Sequence, residues 1–156
     1  VGCFGGMGFV AAAVDVIVMS PEGRLGLTGP EVIEQEIGKE EFDSADKSLI
    51  SRTTGGKHKY LMRDCNVLVP DSIEAFRQAI GDILEKPYEE MEKCRRIGSP
   101  ALVKEQLDVA EWLADLAPSD ARDVWKAMGN PMAEEYPDMD VEEFLTHAVR
   151  RRRGEQ

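Results

Sequence analysis

The run Gly2-Cys3-Phe4-Gly5-Gly6-Met7-Gly8 is where residue type and spacing first suggest chemistry. Glycines have no Cβ, so they adopt positive φ and let backbone N–H groups come close to a ligand. A helix that starts there leaves its first N–H donors unpaired, and such donors suit an anion or an oxyanion that develops during a reaction. The helix is expected to open at about Gly6 and to be short, because the apolar run Val14-Asp15-Val16-Ile17-Val18-Met19 follows at once. Gly8, Ala11, Ala12 and Ala13 permit tight packing that would hold the donors in place. The same stretch contains Gly6-Met7-Gly8-Phe9-Val10-Ala11, formally a GxGxxA dinucleotide fingerprint. Spacing argues against it, because the fingerprint needs a full crossover helix and an acidic residue about 20 positions on, at the end of the second strand. Here Asp15 opens the strand instead.

Other groups are less specific. His58, beside Gly55-Gly56, is a candidate general acid, with an exposed structural histidine between Lys57 and Lys59 as the alternative. Cys3 lies inside the glycine motif with nothing near it in sequence to activate a thiolate, which favours a small buried residue over a nucleophile. Cys3, Cys65 and Cys94 are odd in number, widely spaced, and without a zinc-ligand pattern, so no metal and no disulfide is expected. A reduced, cytoplasmic compartment is the simplest reading.

A chain of 156 residues is long enough for one sizeable core. Its formal net charge of -11 argues against broad nucleic-acid binding. Only the block Arg150 to Arg153 is basic, and it reads as a solvated or subunit-facing helix end. No apolar run approaches the roughly 20 residues that cross a bilayer, so no membrane contact is expected. The chain opens inside the glycine motif; a turn of this kind is normally delivered by a preceding strand, so these residues are expected to be the C-terminal portion of a longer protein.

The elements that must position the motif follow from turn and helix signals. A strand is expected over residues 14–19, a turn over 20–23 around Pro21 and Gly23, and an extended segment over 24–28. Gly29-Pro30-Glu31 opens a helix that ends at Gly38. Residues 39–46 are charged and expected to be exposed. A helix ending over 48–52 is broken by Thr53-Thr54-Gly55-Gly56, followed by a helical segment over 57–62 and a buried strand over 65–69. Asp71 and Ser72 cap a helix whose Ile73, Phe76, Ile80, Ile83 and Leu84 fall on one face. Beyond Pro87 all is expected to be helical, over 88–97, 101–116, 119–128 and 141–153. The apolar stripe of the second of these is Leu102, Val109, Leu113 and Leu116, with Gln106 in line.

Glycine turn, short helix, strand, turn, extended segment and Gly-Pro helix, in that order, resemble the carboxyltransferase branch of the crotonase superfamily. The likeness rests on Gly5-Gly6, on Val14-Asp15-Val16-Ile17-Val18 as the counterpart of a "GDIII"-like strand, and on Gly29-Pro30-Glu31-Val32-Ile33-Glu34-Gln35 as that of a "GPRVIEQ"-like helix. Glu31 stands where carboxylase subunits usually have arginine. That difference, with Arg52-Thr53-Thr54-Gly55-Gly56-Lys57-His58-Lys59-Tyr60 and Ala121-Arg122-Asp123-Val124-Trp125, most resembles malonate decarboxylase beta subunits, over nearly the whole chain.

The resemblance implies an α/β fold, the C-terminal part of a crotonase-like ββα spiral over residues 1–86, followed by a helical, subunit-contacting extension over 87–156. It implies a malonyl-S-acyl-carrier protein substrate on a dephospho-CoA-like prosthetic group, decarboxylated to the acetyl thioester and CO2 through an enolate. The backbone N–H groups of Gly5, Gly6 and Met7 would form an oxyanion hole, His58 would protonate the enolate, and Phe4, Thr28, Gly29, Pro30, Glu31 and Gln35 would line the substrate pocket. Glu31 and Gln35 could instead cap and bond locally. A homologous gamma subunit and the acyl-carrier protein are the implied partners. Biotin is not expected, and no cofactor is expected to be covalently attached to this chain. Transfer of the carboxyl group to a biotin protein, and a non-catalytic assembly role, are the alternatives.

Overall fold

A computed structural model describes residues 2–86 and 99–151. The helix expected over 88–97, Cys94, Arg152 and Arg153 lie outside the described residues. In chain order the elements are β1 (Gly2–Cys3), α1 (Gly6–Ala12), β2 (Val18–Met19), β3 (Arg24–Leu25), α2 (Pro30–Ile37), α3 (Lys47–Thr54), α4 (Gly56–Leu61), β4 (Val67–Leu68), α5 (Ile73–Leu84), α6 (Ser99–Leu116), α7 (Ala121–Ala127) and α8 (Val141–His147). The mixture of helix and parallel strand is α/β. β1 pairs with β3 and β2 with β4, each pair parallel.

A strand that leads into the glycine turn lies within the motif itself, at Gly2–Cys3. Conversely, the strands expected over 14–19 and 65–69 shrink to two residues each. At the Ile17 end the ladder is taken over by a side chain, since Ile17 N–H donates to Asn66 Oδ1 at 2.8 Å. Cys65 N–H is drawn back to Lys59 O at 3.1 Å, which belongs to the end of α4.

Helix boundaries follow their caps. Pro30 stands at the first position of α2, and Gly38 ends it at φ 93. Asp46 accepts from the N–H groups of Ser48 and Leu49, and Ser72 from that of Ala75. α3 runs on through Thr54, with the Thr53 and Thr54 hydroxyls donating back to the carbonyls of Leu49 and Ile50; the break falls at Gly55. α7 opens behind Asp120 as its cap, with Asp123 closing a reciprocal capping box. Within the charged stretch 39–46, Phe42 is buried.

One hydrophobic core joins both parts of the chain. Met19, Leu61, Met62, Cys65 and Leu68 meet Ala121, Val124, Trp125, Ala133, Tyr136, Val141 and Phe144, with Val109, Trp112, Leu113 and Leu116 of α6 packed against them. Aromatic edges lock it: Tyr136 and Phe144 cross at 81° with centroids 5.0 Å apart. The apolar face of α5 is real but uncovered, with Ile73 73% and Leu84 71% exposed.

Candidate functional site

The glycine turn is built by the β1–β3 pair. Gly2 lies opposite Arg24 and Cys3 opposite Leu25, and the ladder continues as Gly26 N–H donates to Cys3 O at 3.1 Å and Gly5 N–H to Leu27 O at 2.9 Å. Gly5 has φ 58 and ψ -131, the mirror image of the polyproline region, which a Cβ disfavours. This reversal starts α1. The Gly5 carbonyl then accepts from Gly8 N–H at 2.9 Å and Phe9 N–H at 3.3 Å.

Two donors remain. Among the described residues, the N–H groups of Gly6 and Met7 have no acceptor, as expected at the first two positions of a helix. The trio Gly5, Gly6 and Met7 is thus divided: Gly5 shapes the turn and its N–H is engaged by Leu27, while Gly6 and Met7 present free donors. Space around them differs as well. A Cβ on Gly6 would meet nothing within 4 Å, whereas one on Gly8 would fall 2.4 Å from the Gly26 carbonyl oxygen. Gly8 lets α1 press against the β3 end, and Gly6 opens onto solvent.

The pocket candidates gather only in part. The Phe4 ring lies across Gly2 and Gly26, where a Cβ on Gly26 would fall 3.2 Å from it, so it braces the β1–β3 pair. Pro30 is buried at the start of α2, while Thr28, Glu31 and Gln35 are exposed. Glu31, in the first turn of α2, complements the helix dipole. The residue of this helix with a described partner is Glu34, which accepts from Ser44 N–H at 2.7 Å.

His58 is half-buried and belongs to the core. Its Nδ1 accepts from Trp125 Nε1 at 3.1 Å, so the neutral ring carries its proton on Nε2. Burial, helped by the charge of Lys59 and opposed by Asp64, pushes its pKa down to about 4. At neutral pH it therefore holds no exchangeable positive charge. Beside it, Lys57 is a buried cation that gave no signal in the sequence. Its Nζ donates to the carbonyls of Tyr136 at 2.7 Å, Pro137 at 3.1 Å and Met139, holding the 136–139 segment to α4. Burial lowers its pKa, against the opposing charges of Asp138, Asp140 and Glu22.

The basic block serves a helix end, though not its own. α8 stops at His147, and Arg150 and Arg151 lie beyond it. Arg150 donates to Tyr60 O at 2.9 Å and Cys65 O at 2.6 Å, and its guanidinium sits 4.2 Å from the Tyr60 ring centroid. Arg151 N–H donates to Leu61 O at 2.8 Å, and its guanidinium pairs with Glu105. Both arginines thus satisfy the last carbonyls of α4. Cys65 is buried with its pKa raised to about 11 by that burial, an inert thiol; Cys3 is half-buried.

A cavity of about 390 Å³ lies between the two strand pairs, walled by Cys3, Ile17, Ser20, Arg24, Leu25 and Phe76. Four polar side chains are buried among the described residues: Ser20, Thr54, Lys57 and Asn130. Asn130 is fully engaged, donating to Trp125 O and Val149 O and accepting from Tyr136 Oη and Val149 N–H. Thr54 and Lys57 are bonded as described. Ser20, 4% exposed, is the exception: its hydroxyl has no partner among the described residues. Burying such a group without a partner costs about 1–3 kcal/mol.

Comparison with known proteins bears out the resemblance. The chain is 57% identical over 150 residues, 96% of its length, to the malonyl-S-ACP:biotin-protein carboxyltransferase MADC of Malonomonas rubra, and it spans 47% of that relative's length. No family model matches the chain. Among solved structures, it is similar to a Pseudomonas malonate decarboxylase hetero-tetramer in complex with malonate, at 39% identity and TM-score 0.49, over 51% of this chain and 29% of that one.

Proposed function

We propose that these residues form part of a malonyl-thioester carboxyltransferase, acting on malonyl-S-acyl-carrier protein and passing the carboxyl group to a biotin protein. The observation that carries this reading is the 57% identity to a relative named for that transfer, across nearly every residue of the chain. That relative's name supports reading biotin-dependent transfer before the biotin-free decarboxylation that the family resemblance implied.

In either reaction the bond between C2 and the carboxyl carbon of the malonyl group breaks and its electron pair stays with the thioester fragment. The charge spreads onto the thioester oxygen as an enolate, and C2 then takes a proton to give the acetyl thioester. Stabilising that oxygen is the main catalytic task. The free N–H groups of Gly6 and Met7 are suited to it, because fixed donors need no reorganisation as charge develops. A crotonase-like spiral, a homologous partner subunit that completes the site, and a carrier protein with a dephospho-CoA-like arm belong to the same proposal. No residue of this chain is assigned to bind biotin.

The test is an assay of the full-length protein with its partner subunits on malonyl-carrier protein, with and without avidin. Carboxyl transfer that avidin abolishes is the expected result. CO2 release insensitive to avidin would replace this reading with biotin-free decarboxylation. Tight subunit assembly with neither reaction would leave a non-catalytic assembly role.

A further inference from the structure

The cavity between the strand pairs is lined by two polar groups whose hydrogen-bonding capacity is not filled among the described residues. The buried Ser20 hydroxyl lacks a partner among them. Arg24, half-buried in the same lining, directs Nη1 at the carbonyls of Pro21, 3.1 Å away, and Gly23, 3.4 Å away. Those bonds fix the guanidinium plane. They leave the Nε and Nη2 edge, the one that grips a carboxylate with two parallel hydrogen bonds, unengaged among the described residues. A cation partly withdrawn from water, with no carboxylate at ion-pair distance among the described residues and an orphan hydroxyl donor in the same cavity lining, is complementary to an anion.

The rest of the cavity limits which anion. Ile17, Leu25 and Phe76 supply apolar wall, which suits a short hydrocarbon tail. Glu22 and Asp71 also line it, both exposed, so they stand in water at the rim and disfavour a second negative charge. We propose that this cavity is a binding site for a short aliphatic monocarboxylate, held by Arg24 and the Ser20 hydroxyl with its tail against the apolar wall. The proposal rests on the cavity alone and stands or falls separately from the carboxyltransferase reading.

Propionate is the probe, with propionamide as its neutral isostere and malonate as the dianion, each titrated calorimetrically into the full-length protein. Saturable propionate binding is expected, at least tenfold tighter than that of either control. Ser20→Ala and Arg24→Lys should each weaken it at least tenfold, the first by removing a donor and the second by removing the fork while keeping the charge. Asp71→Asn should leave propionate binding equal or tighter and narrow the gap to malonate. Because the Ser20 hydroxyl has no partner to lose, the thermal midpoint of unliganded Ser20→Ala should stay level or rise. Equal binding of propionate and propionamide, unaltered propionate affinity in Ser20→Ala, or a lowered unliganded midpoint in that variant would overturn the proposal.

Discussion

The glycine-turn face and the core around Trp125 treat polar groups in opposite ways. Around Trp125 the buried polar side chains described are answered: Asn130 uses both its donors and its acceptor and Lys57 meets three carbonyls, while Arg150 and Arg151 close the end of α4. At the turn, two backbone donors are left open, the hydroxyl of Ser20 is unpaired among the described residues, and Met7, Phe9 and Val10 of α1 stand more than half exposed. Satisfied groups fix a shape. Unsatisfied ones, on a scaffold held as firmly as β1 and β3 hold this turn, are where an external partner gains most.

The largest effect that tests this contrast belongs to the core. Trp125 is 1% exposed and bonded to His58, so Trp125→Ala should lower unfolding free energy by about 3–5 kcal/mol in urea melts, with the fold lost where stability is marginal. Little loss would mean that α7 is not part of a shared core.

At the turn the prediction is reversed, with activity lost and stability kept. Gly6→Pro removes one donor at the first helical position, where proline is tolerated and where a side chain meets nothing within 4 Å. Turnover of malonyl-carrier protein should fall by about 10²–10³, or roughly 2.7–4 kcal/mol in barrier, with the melting temperature nearly unchanged. Near-normal turnover would remove the Gly6 donor from the mechanism.

The core should also be acid-labile through His58. Its pKa is near 4 folded and about 6.5 unfolded, so the unfolded chain binds more protons between those values. Stability is therefore complete above about pH 6.5 and declines as pH falls toward 4, by up to roughly 3 kcal/mol, less what solvent relieves at a half-buried ring. Urea midpoints across that range should slope for the native chain and flatten in His58→Gln. Equal slopes in both would place the titration elsewhere.

What could be read from the residues follows the same division. Local signals, such as Pro30 and Gly38 at the ends of α2 or Ser72 at the start of α5, placed helices closely because a cap is decided within four residues. The glycine turn was legible because positive φ at Gly5 and close approach at Gly8 leave few other choices. That Gly5 spends its N–H on Leu27 was not, since it depends on strand register between segments more than 20 residues apart. Lys57 and Ser20 were equally silent, and the block at Arg150 gave its charge but not the helix end it serves. A lysine between Gly56 and His58 looks like surface, and only the tertiary fold brings the carbonyls at 136–139 to it. The α5 stripe shows the converse, a correct periodicity whose Ile73, Ile80 and Leu84 stay exposed.

The smallest effect decides between two roles for Glu31. It is exposed, in the first turn of α2, and its carboxylate faces the positive end of that helix. If that is all it does, Glu31→Gln costs about 0.3–1 kcal/mol of stability, fading as salt screens the dipole, and leaves the KM for malonyl-carrier protein unaltered. If the residue lines the substrate site, KM rises several-fold and the salt-dependent stability loss is no larger. The two readouts separate because a helix dipole acts on the folded chain with or without substrate, whereas a pocket residue acts only when substrate is bound. A flat KM with a salt-sensitive melt would assign Glu31 to the scaffold.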